Sequence, residues 1–341
     1  MPIHQRVVVE RGARSGFPIV VAVHSTALGP AVGGCRLAVY RDWRDGLDDA
    51  LRLSAAMTSK AALAGLPNGG AMTVAALPGD GPVDRRAVLH DVADVIDSLG
   101  GACATGPDVG TGPGDMAVLG ERTDHVLGRA GGSSAATAAG VVAAIQAVVA
   151  DRFGSPALSG RSFAVLGAGR VGTHVVDLLA AAGGEVIVSD VDASRRTVAA
   201  SCGATWTDPR SCLTAEVDVL VPAALGGLLT AATVPALRCA AVAGPANAQL
   251  DEPATADLLH ARGILWAPAV VVGSGGVIHA VATDLHHETP DRVAARIAGI
   301  GDTLTGILEA ARETSSTPAA AASRLAAFLI GEPLAPTMAP C

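Results

Sequence analysis

Residues 162–190 constrain the fold more than any other stretch of this chain. Ser162-Phe163-Ala164-Val165-Leu166 is an apolar run that leads straight into Gly167-Ala168-Gly169-Arg170-Val171-Gly172. Thr173 to Ala182 continues with apolar residues at Val176, Leu178, Leu179 and Ala180, and Glu185-Val186-Ile187-Val188-Ser189-Asp190 is a second strand-like run closing on an acid. A strand, a glycine turn, a helix and a second strand in that order predict a βαβ unit of a parallel sheet. Gly167 allows the tight turn, Gly169 lets the backbone approach a pyrophosphate, and Gly172 permits close helix–strand packing. The helix N-terminus offers free N–H groups and a positive dipole end. Asp190, roughly 20 residues beyond the glycines, can accept hydrogen bonds from a ribose diol. A lone G-x-G-x-x-G is weak evidence, but all the parts agree here. They predict a Rossmann-type dinucleotide site built from Gly167, Gly169, Arg170, Val171, Gly172 and Asp190. A carboxylate at the ribose repels a 2′-phosphate, which favours NAD(H) over NADP(H); Arg195 and Arg196 nearby pull slightly the other way.

The chain has 341 residues, enough for two domains. Hydrophobic residues make up 50% but aromatics only 2%, so Ala, Val and Leu must fill the cores. A formal net charge of −8 and scattered Lys and Arg give no electrostatic attraction for nucleic acid or anionic lipid. The start, Met1-Pro2-Ile3-His4-Gln5-Arg6, leads into a charged strand and not an apolar signal core. The apolar run Ala138–Ala150 is short for a bilayer span and includes Gln146, which favours a buried helix. Cys35, Cys103, Cys202, Cys212, Cys239 and Cys341 show no paired metal-ligand spacing and fit a reducing, cytoplasmic compartment.

The predicted architecture is α/β with two domains. Val7–Val9 and Ile19–His24 suit strands, Asp45–Lys60 a helix, Gly65–Gly70 a loop, Ala71–Leu77 a strand and Arg85–Leu99 a helix. Thr105–Gly114 is a Gly/Pro-rich loop of the kind that carries functional groups. Gly131-Gly132-Ser133-Ser134 reads as a boundary, with Ser133 or Ser134 capping the next helix. Residues 1–131 form the expected substrate and oligomerisation domain, joined by C-terminal helices from about 310 to 341. Residues 132–309 form the expected doubly wound Rossmann domain, and Pro333–Cys341 is expected to be loose.

Three further segments narrow the function. They are Val21–Arg36 with its Gly33-Gly34, Asp49–Leu66 with Lys60, and Gly69-Gly70-Ala71. With Asp108-Val109-Gly110-Thr111, the glycine fingerprint, Gly244–Leu250, Ala267-Pro268 and Gly275-Gly276-Val277-Ile278, they follow one order along nearly the whole chain. In that order they resemble the leucine, phenylalanine and valine dehydrogenases of the glutamate dehydrogenase superfamily. The resemblance implies oxidative deamination: hydride passes from an α-carbon to NAD, and water then hydrolyses the imine. It implies that Gly33 and Gly34 line a substrate pocket with backbone groups, that Lys60 binds the substrate carboxylate, and that Asp108 exchanges protons with the amino group. It implies a substrate cleft between the domains and an oligomer, a dimer or larger, often built through the first domain.

The same resemblance exposes a loss. Where the family carries the lysine that activates water, this chain has Met72. A thioether cannot ionise, donate a proton or act as a base. The family's paired asparagines appear as Asn247-Ala248, its asparagine before Ala-Gly-Gly falls in Gly273-Ser274-Gly275-Gly276, and the asparagine ending that motif is His279. Asn247 is a cofactor-binding candidate and His279 a substrate-binding one. Each also has a plain structural reading: Lys60 as a helix-end cation, Asp108 as an Asx-turn residue, His279 and Met72 as packing. The loss points to an NAD-dependent oxidoreductase acting at a C–N centre of a small apolar amino-acid-like substrate without hydrolysis. Non-redox biosynthetic catalysis on the same scaffold and a catalytically silent partner subunit are the alternatives. No metal is expected, and a small-molecule substrate is expected in place of nucleic acid or membrane.

Overall fold

A computed structural model describes residues 4–79, 82–224 and 226–331. The C-terminal stretch read above as loose, and Cys341 with it, lie outside these residues. The chain divides into two compact units: Met1–Gly132 with Ala280–His287 and Ala326–Cys341, and Ser133–His279 with Glu288–Leu325. The sequence assigns the helices from about 310 to the first domain, but the structure groups residues up to Leu325 with the second unit and only those from Ala326 with the first. The reason is apolar packing: Leu304, Ile307, Leu308 and Ala311 are buried on a helix that packs along residues 133–153.

In the first unit the strands are β1 (Arg6–Arg11), β2 (Pro18–Ser25), β3 (Ala31–Val39), β4 (Gly69–Leu77) and β5 (Cys103–Pro107). The helices are α1 (Trp43–Leu63), α2 (Arg85–Asp97) and α3 (Pro113–Leu119). The sheet runs β1-β2-β4-β3-β5, antiparallel from β1 to β4 and parallel from β4 to β5. Strand alternation sends side chains to two faces. Val20, Ala22, Met72 and Val74 pack with Ala50 and Leu53 of α1, while Ile19, Val21, Val23, Ala71 and Ala75 pack with Val88, Leu89, Val92 and Ile96 of α2. Asp42 caps α1 by accepting from the Arg44 N–H, and Asp84 caps α2 by accepting from the Ala87 N–H.

Two expectations change here. Gly69 and Gly70 are not loop but the first residues of β4, and their missing side chains serve close approach. A Cβ on Gly69 would lie 1.7 Å from the Ser25 carbonyl oxygen, and one on Gly70 2.1 Å from the Thr58 nitrogen. Residues 103–107, partly read as loop, form strand β5 beside β3, and 31–39 form β3 itself. Both strands are rich in glycine or proline, which masks their period-two pattern.

The second unit contains α4 (Ser133–Phe153), β6 (Ser162–Leu166), α5 (Arg170–Ala181), β7 (Glu185–Ser189), α6 (Arg196–Cys202), β8 (Thr205–Trp206), α7 (Pro209–Leu213) and β9 (Glu216–Pro222). After these come β10 (Arg238–Val242), α8 (Thr255–Ala261), β11 (Leu265–Trp266), α9 (Ala269–Val272), α11 (Pro290–Ala298) and α12 (Ile300–Glu313). Two helices, α10 (Gly275–Ala280) and α13 (Pro318–Ile330), are shared between the units. The sheet is parallel throughout, in the order β11-β10-β9-β6-β7-β8. That is the doubly wound order, which reverses direction between β6 and β9. Helix α4 is long and apolar enough to cross a membrane, but it packs on α5, α11 and α12 with Val141, Ala144, Ile145, Val148 and Val149 buried. Ser133 lies within α4, and its Oγ is buried without a hydrogen-bond partner, so it does not cap the helix.

Candidate active site

In the first unit α1 crosses β4 at Gly70, which brings the end of α1 onto the sheet face that carries Met72. Met72 is 3% exposed, opposite Ala22 of β2 and within the apolar cluster of Val20, Ala22, Ala50, Leu53 and Val74. On the same face His24 bonds through Nδ1 to Thr58 Oγ1 at 2.8 Å. Lys60 in the last turn of α1 is 8% exposed. Burial holds its amine below the ordinary lysine range, and the charge of Asp108 works in the opposite direction.

Asp108 opens the loop after β5, and its position is fixed from several sides. A Cβ on Gly34 would fall 2.7 Å from the Asp108 Cβ, so only glycine leaves that space. The Asp108 N–H donates to Thr111 Oγ1 at 2.9 Å, and that hydroxyl donates to the Cys35 carbonyl at 2.8 Å. The Arg36 Nε donates to Asp108 Oδ2 at 2.8 Å, while its Nη1 donates to Asp49 Oδ2 at 2.9 Å. Asp49 also accepts from the Tyr40 hydroxyl at 2.9 Å and from Arg52 Nη2 at 2.7 Å. Burial opposes the Arg36 charge, but Asp108 and Asp49 outweigh it and raise the guanidinium above its ordinary value. Burial, with the bond to Asp49, pushes the Tyr40 hydroxyl up to about 12. Further along the loop Arg85 grips Asp115 with two bonds, 2.7 and 2.9 Å. Gly33 packs against β4, where a Cβ would meet the Ala71 carbonyl oxygen at 1.9 Å and the Met72 nitrogen at 3.2 Å.

The sequence reading missed Arg36, Asp49 and Tyr40 as members of this site. A signal was present: Arg36 lies two residues beyond Gly34 on a strand and so shares its face.

In the second unit the glycine turn has the form that a dinucleotide pyrophosphate requires. Gly167 has φ +108, and a Cβ on Gly172 would lie 2.0 Å from the Gly167 carbonyl oxygen. A Cβ on Gly169 would meet nothing within 4 Å, which leaves open space before the first turn of α5, begun by Arg170 and Val171. Asp190 Oδ2 accepts from the Ala168 N–H at 2.7 Å and Oδ1 from the Asp192 N–H at 2.9 Å. Each oxygen keeps acceptor capacity for a ribose hydroxyl. Asn247 is exposed, and Ala248 beside it is left-handed, with φ +49. His279 is on α10, with Nδ1 buried and unpartnered. The structure thus collects Gly33, Gly34, Lys60, Met72 and Asp108 in the first unit, and the fingerprint residues, Asn247 and His279 in the second. Among the described residues no cluster of His, Cys, Asp and Glu could hold a metal.

Residues 2–125 match the dimerisation-domain model of the Glu/Leu/Phe/Val dehydrogenases, and residues 188–327 match the Glutamate/Leucine/Phenylalanine/Valine dehydrogenase model. The chain belongs to this family. Leucine dehydrogenase of Bacillus cereus is 36% identical over 332 residues, covering 95% of this chain and 90% of that protein. Valine dehydrogenase of Streptomyces albus is 39% identical over 339 residues, covering 95% and 91%. The crystal structure of L-tryptophan dehydrogenase from Nostoc punctiforme matches this family member with a TM-score of 0.80 and 34% identity, covering 96% of each chain. Dehydrogenases of this family use a nicotinamide dinucleotide, and NAD(H) fits the turn and acid of the second unit.

Proposed function

We propose that this family member is an NAD(H)-dependent oxidoreductase that moves hydride at a C–N centre of a small apolar, amino-acid-like substrate and omits hydrolytic deamination. One observation carries the reading: Met72, at the place of the family's water-activating lysine, is buried in an apolar cluster. A thioether there can neither take a proton from water nor hold water as a hydrogen-bond donor. The nicotinamide, when bound, supplies or accepts the hydride. Lys60 would hold the substrate carboxylate, which would favour the charged form that burial disfavours. Gly33 and Gly34 would offer backbone groups, Asp108 would face the substrate nitrogen, and Met72 would keep the pocket dry. Relatives named for leucine, valine and tryptophan support an apolar substrate side chain. The dimerisation-domain match supports a homo-oligomer.

The test is turnover of NADH with a panel of open-chain and cyclic imino acids, with products identified by mass spectrometry. The expected result is consumption of NADH with formation of the amine, and no ammonia from L-leucine, L-valine or L-phenylalanine. Deamination of any of these at an ordinary rate, on the order of 10 s⁻¹, would overturn the proposal.

A further inference from the structure

We infer that the β11 edge of the second unit holds a separate effector site for a small molecule with one carboxylate on an apolar body, linked to the cofactor loop through Trp266 and Gln249. A cavity of about 320 Å³ opens there between the end of α4, α8, β11, α12 and the turn into α13. That volume lies at the small end of the range for ligand pockets. None of the residues named above for catalysis, substrate or NAD(H) lines it. Its floor is apolar: Ile264, Leu265, Leu308 and Ala311 are buried, and Trp266 is half-buried beside Leu265. Its rim is charged. Arg312 pairs with Asp151, and Arg152 donates from Nη2 to the Gly263 carbonyl at 3.0 Å. Asp151 is thereby engaged, while the carbonyl bond steadies Arg152 without neutralising its charge. His260 adds a ring N–H donor. Two guanidiniums against one carboxylate favour an anion, and the floor accepts its apolar body. A cationic ligand would meet Arg152 as a like charge, and an uncharged one would forgo the charge-assisted bond.

The floor continues inward. The Trp266 Nε1 donates to Gln249 Oε1 at 2.9 Å, and Gln249 Nε2 donates to the Gly244 carbonyl at 2.7 Å. Gln249 is 1% exposed, so neither bond is exchanged for water without cost. Gly244 presses on the end of β9, where a Cβ would meet the Pro222 carbonyl oxygen at 2.3 Å. The carboxyl ends of such strands are where a doubly wound sheet receives its dinucleotide. Asn247, the cofactor-binding candidate, lies between Gly244 and Gln249 in the chain. A ligand that displaces the Trp266 ring acts on this loop, and by reciprocity a bound dinucleotide acts on the cavity.

Trp266 also supplies the readout, since the other tryptophans, Trp43 and Trp206, lie on α1 and on β8 at the opposite edge of the sheet. The experiment titrates the cofactor-free protein with hexanoate and follows tryptophan emission, with hexanamide and hexylamine as the uncharged and cationic probes. Hexanoate is expected to change the emission and to bind about tenfold or more tighter than hexanamide. Arg152→Gln, a change at an exposed side chain, is expected to keep the fold and weaken hexanoate by about fivefold or more. Lys60→Met is expected to keep the full response, which separates this cavity from the substrate pocket. Saturating hexanoate is expected to change NADH affinity, read from the fluorescence of the cofactor, by about fivefold or more. In Trp266→Phe both the emission change and the effect on NADH affinity are expected to vanish. No emission change, equal or tighter binding of hexanamide or hexylamine, full hexanoate affinity in Arg152→Gln, loss of the response in Lys60→Met, or NADH affinity indifferent to hexanoate would each overturn the inference. If Trp266→Phe does not fold, the Arg152→Gln and Lys60→Met results decide. No arm of this experiment involves turnover, so a silent imine panel would leave the inference standing.

Discussion

Replacing Met72 with lysine tests the proposed chemistry most directly. Met72 is 3% exposed among Val20, Ala22, Ala50, Leu53 and Val74, so an amine at this place enters an apolar surrounding. Lysine and methionine are similar in length, which makes desolvation the dominant cost over crowding. Burial already lowers the amine of Lys60 on the neighbouring α1. A fall of about 3 units from the free value, within the range of buried lysines, corresponds to about 4 kcal/mol at neutral pH. The sign follows from proton uptake. The unfolded chain binds the proton up to its ordinary lysine pKa while the folded chain releases it earlier, so stability rises with pH between the two values. Melting of Met72→Lys should therefore lie well below that of the unchanged protein at pH 7 and approach it towards pH 10. The same depressed pKa makes the new amine a base near neutrality. General base catalysis contributes on the order of 10²–10⁴-fold, and the pocket carries other replacements, so a gain of about tenfold in NADH formation from L-leucine or L-phenylalanine is expected. A folded variant that binds NADH, shows the pH-dependent melting and gains no deamination would refute the claim that the missing amine is what blocks hydrolysis.

Three further outcomes follow from local geometry. Gly172→Ala should lose NADH affinity by about tenfold or more while the first unit stays folded, because its Cβ would sit 2.0 Å from the Gly167 carbonyl oxygen and push α5 away from the turn; fluorescence titration with NADH measures it. Lys60→Met should raise the melting temperature at pH 7, with the advantage shrinking as the pH climbs towards the ordinary lysine value, since the folded-state amine is lowered by burial and each unit is about 1.4 kcal/mol. Ala248→Gly should stabilise by roughly 1 kcal/mol, because Ala248 has φ +49, where a Cβ is strained; denaturant unfolding reads the shift, and no gain would mean that the surrounding bonds already offset the strain.

The second unit was more legible in the sequence than the first, for physical reasons. Its fingerprint places turn, helix and acid within one short stretch, and each local preference agrees with the global sheet. The boundary near Gly132 is marked by its own composition. In the first unit the informative residues are glycines whose purpose is contact and not turning. Gly69 and Gly70 read as loop because nothing local shows that Ser25 and Thr58 will press against them. Strands β3 and β5 were hidden by glycine and proline. Lys60, Met72 and Asp108 were nameable through the resemblance, but the brace of Arg36, Asp49, Tyr40 and Arg52 was not. It joins β3, its following turn and α1 to the loop after β5, and only the folded register brings those elements together.

The surroundings of Met72 bear on whether its lysine was lost from an idle scaffold or from one put to other use. Lys60 is buried in the last turn of α1 with the charge of Asp108 favouring its ionised form, and Asp108 is held by Arg36 at 2.8 Å. Buried charges of this kind are retained at a cost to burial alone. Under the proposed function, Lys60 meets the substrate carboxylate and Asp108 the substrate nitrogen, so both retained charges have a task. The proposed function assigns these groups to hydride exchange at the carbon bearing nitrogen, the step that needs no base at position 72. The retained Lys60 and Asp108 are what the proposed C–N oxidoreductase needs, and the Met72→Lys variant separates it from an idle scaffold.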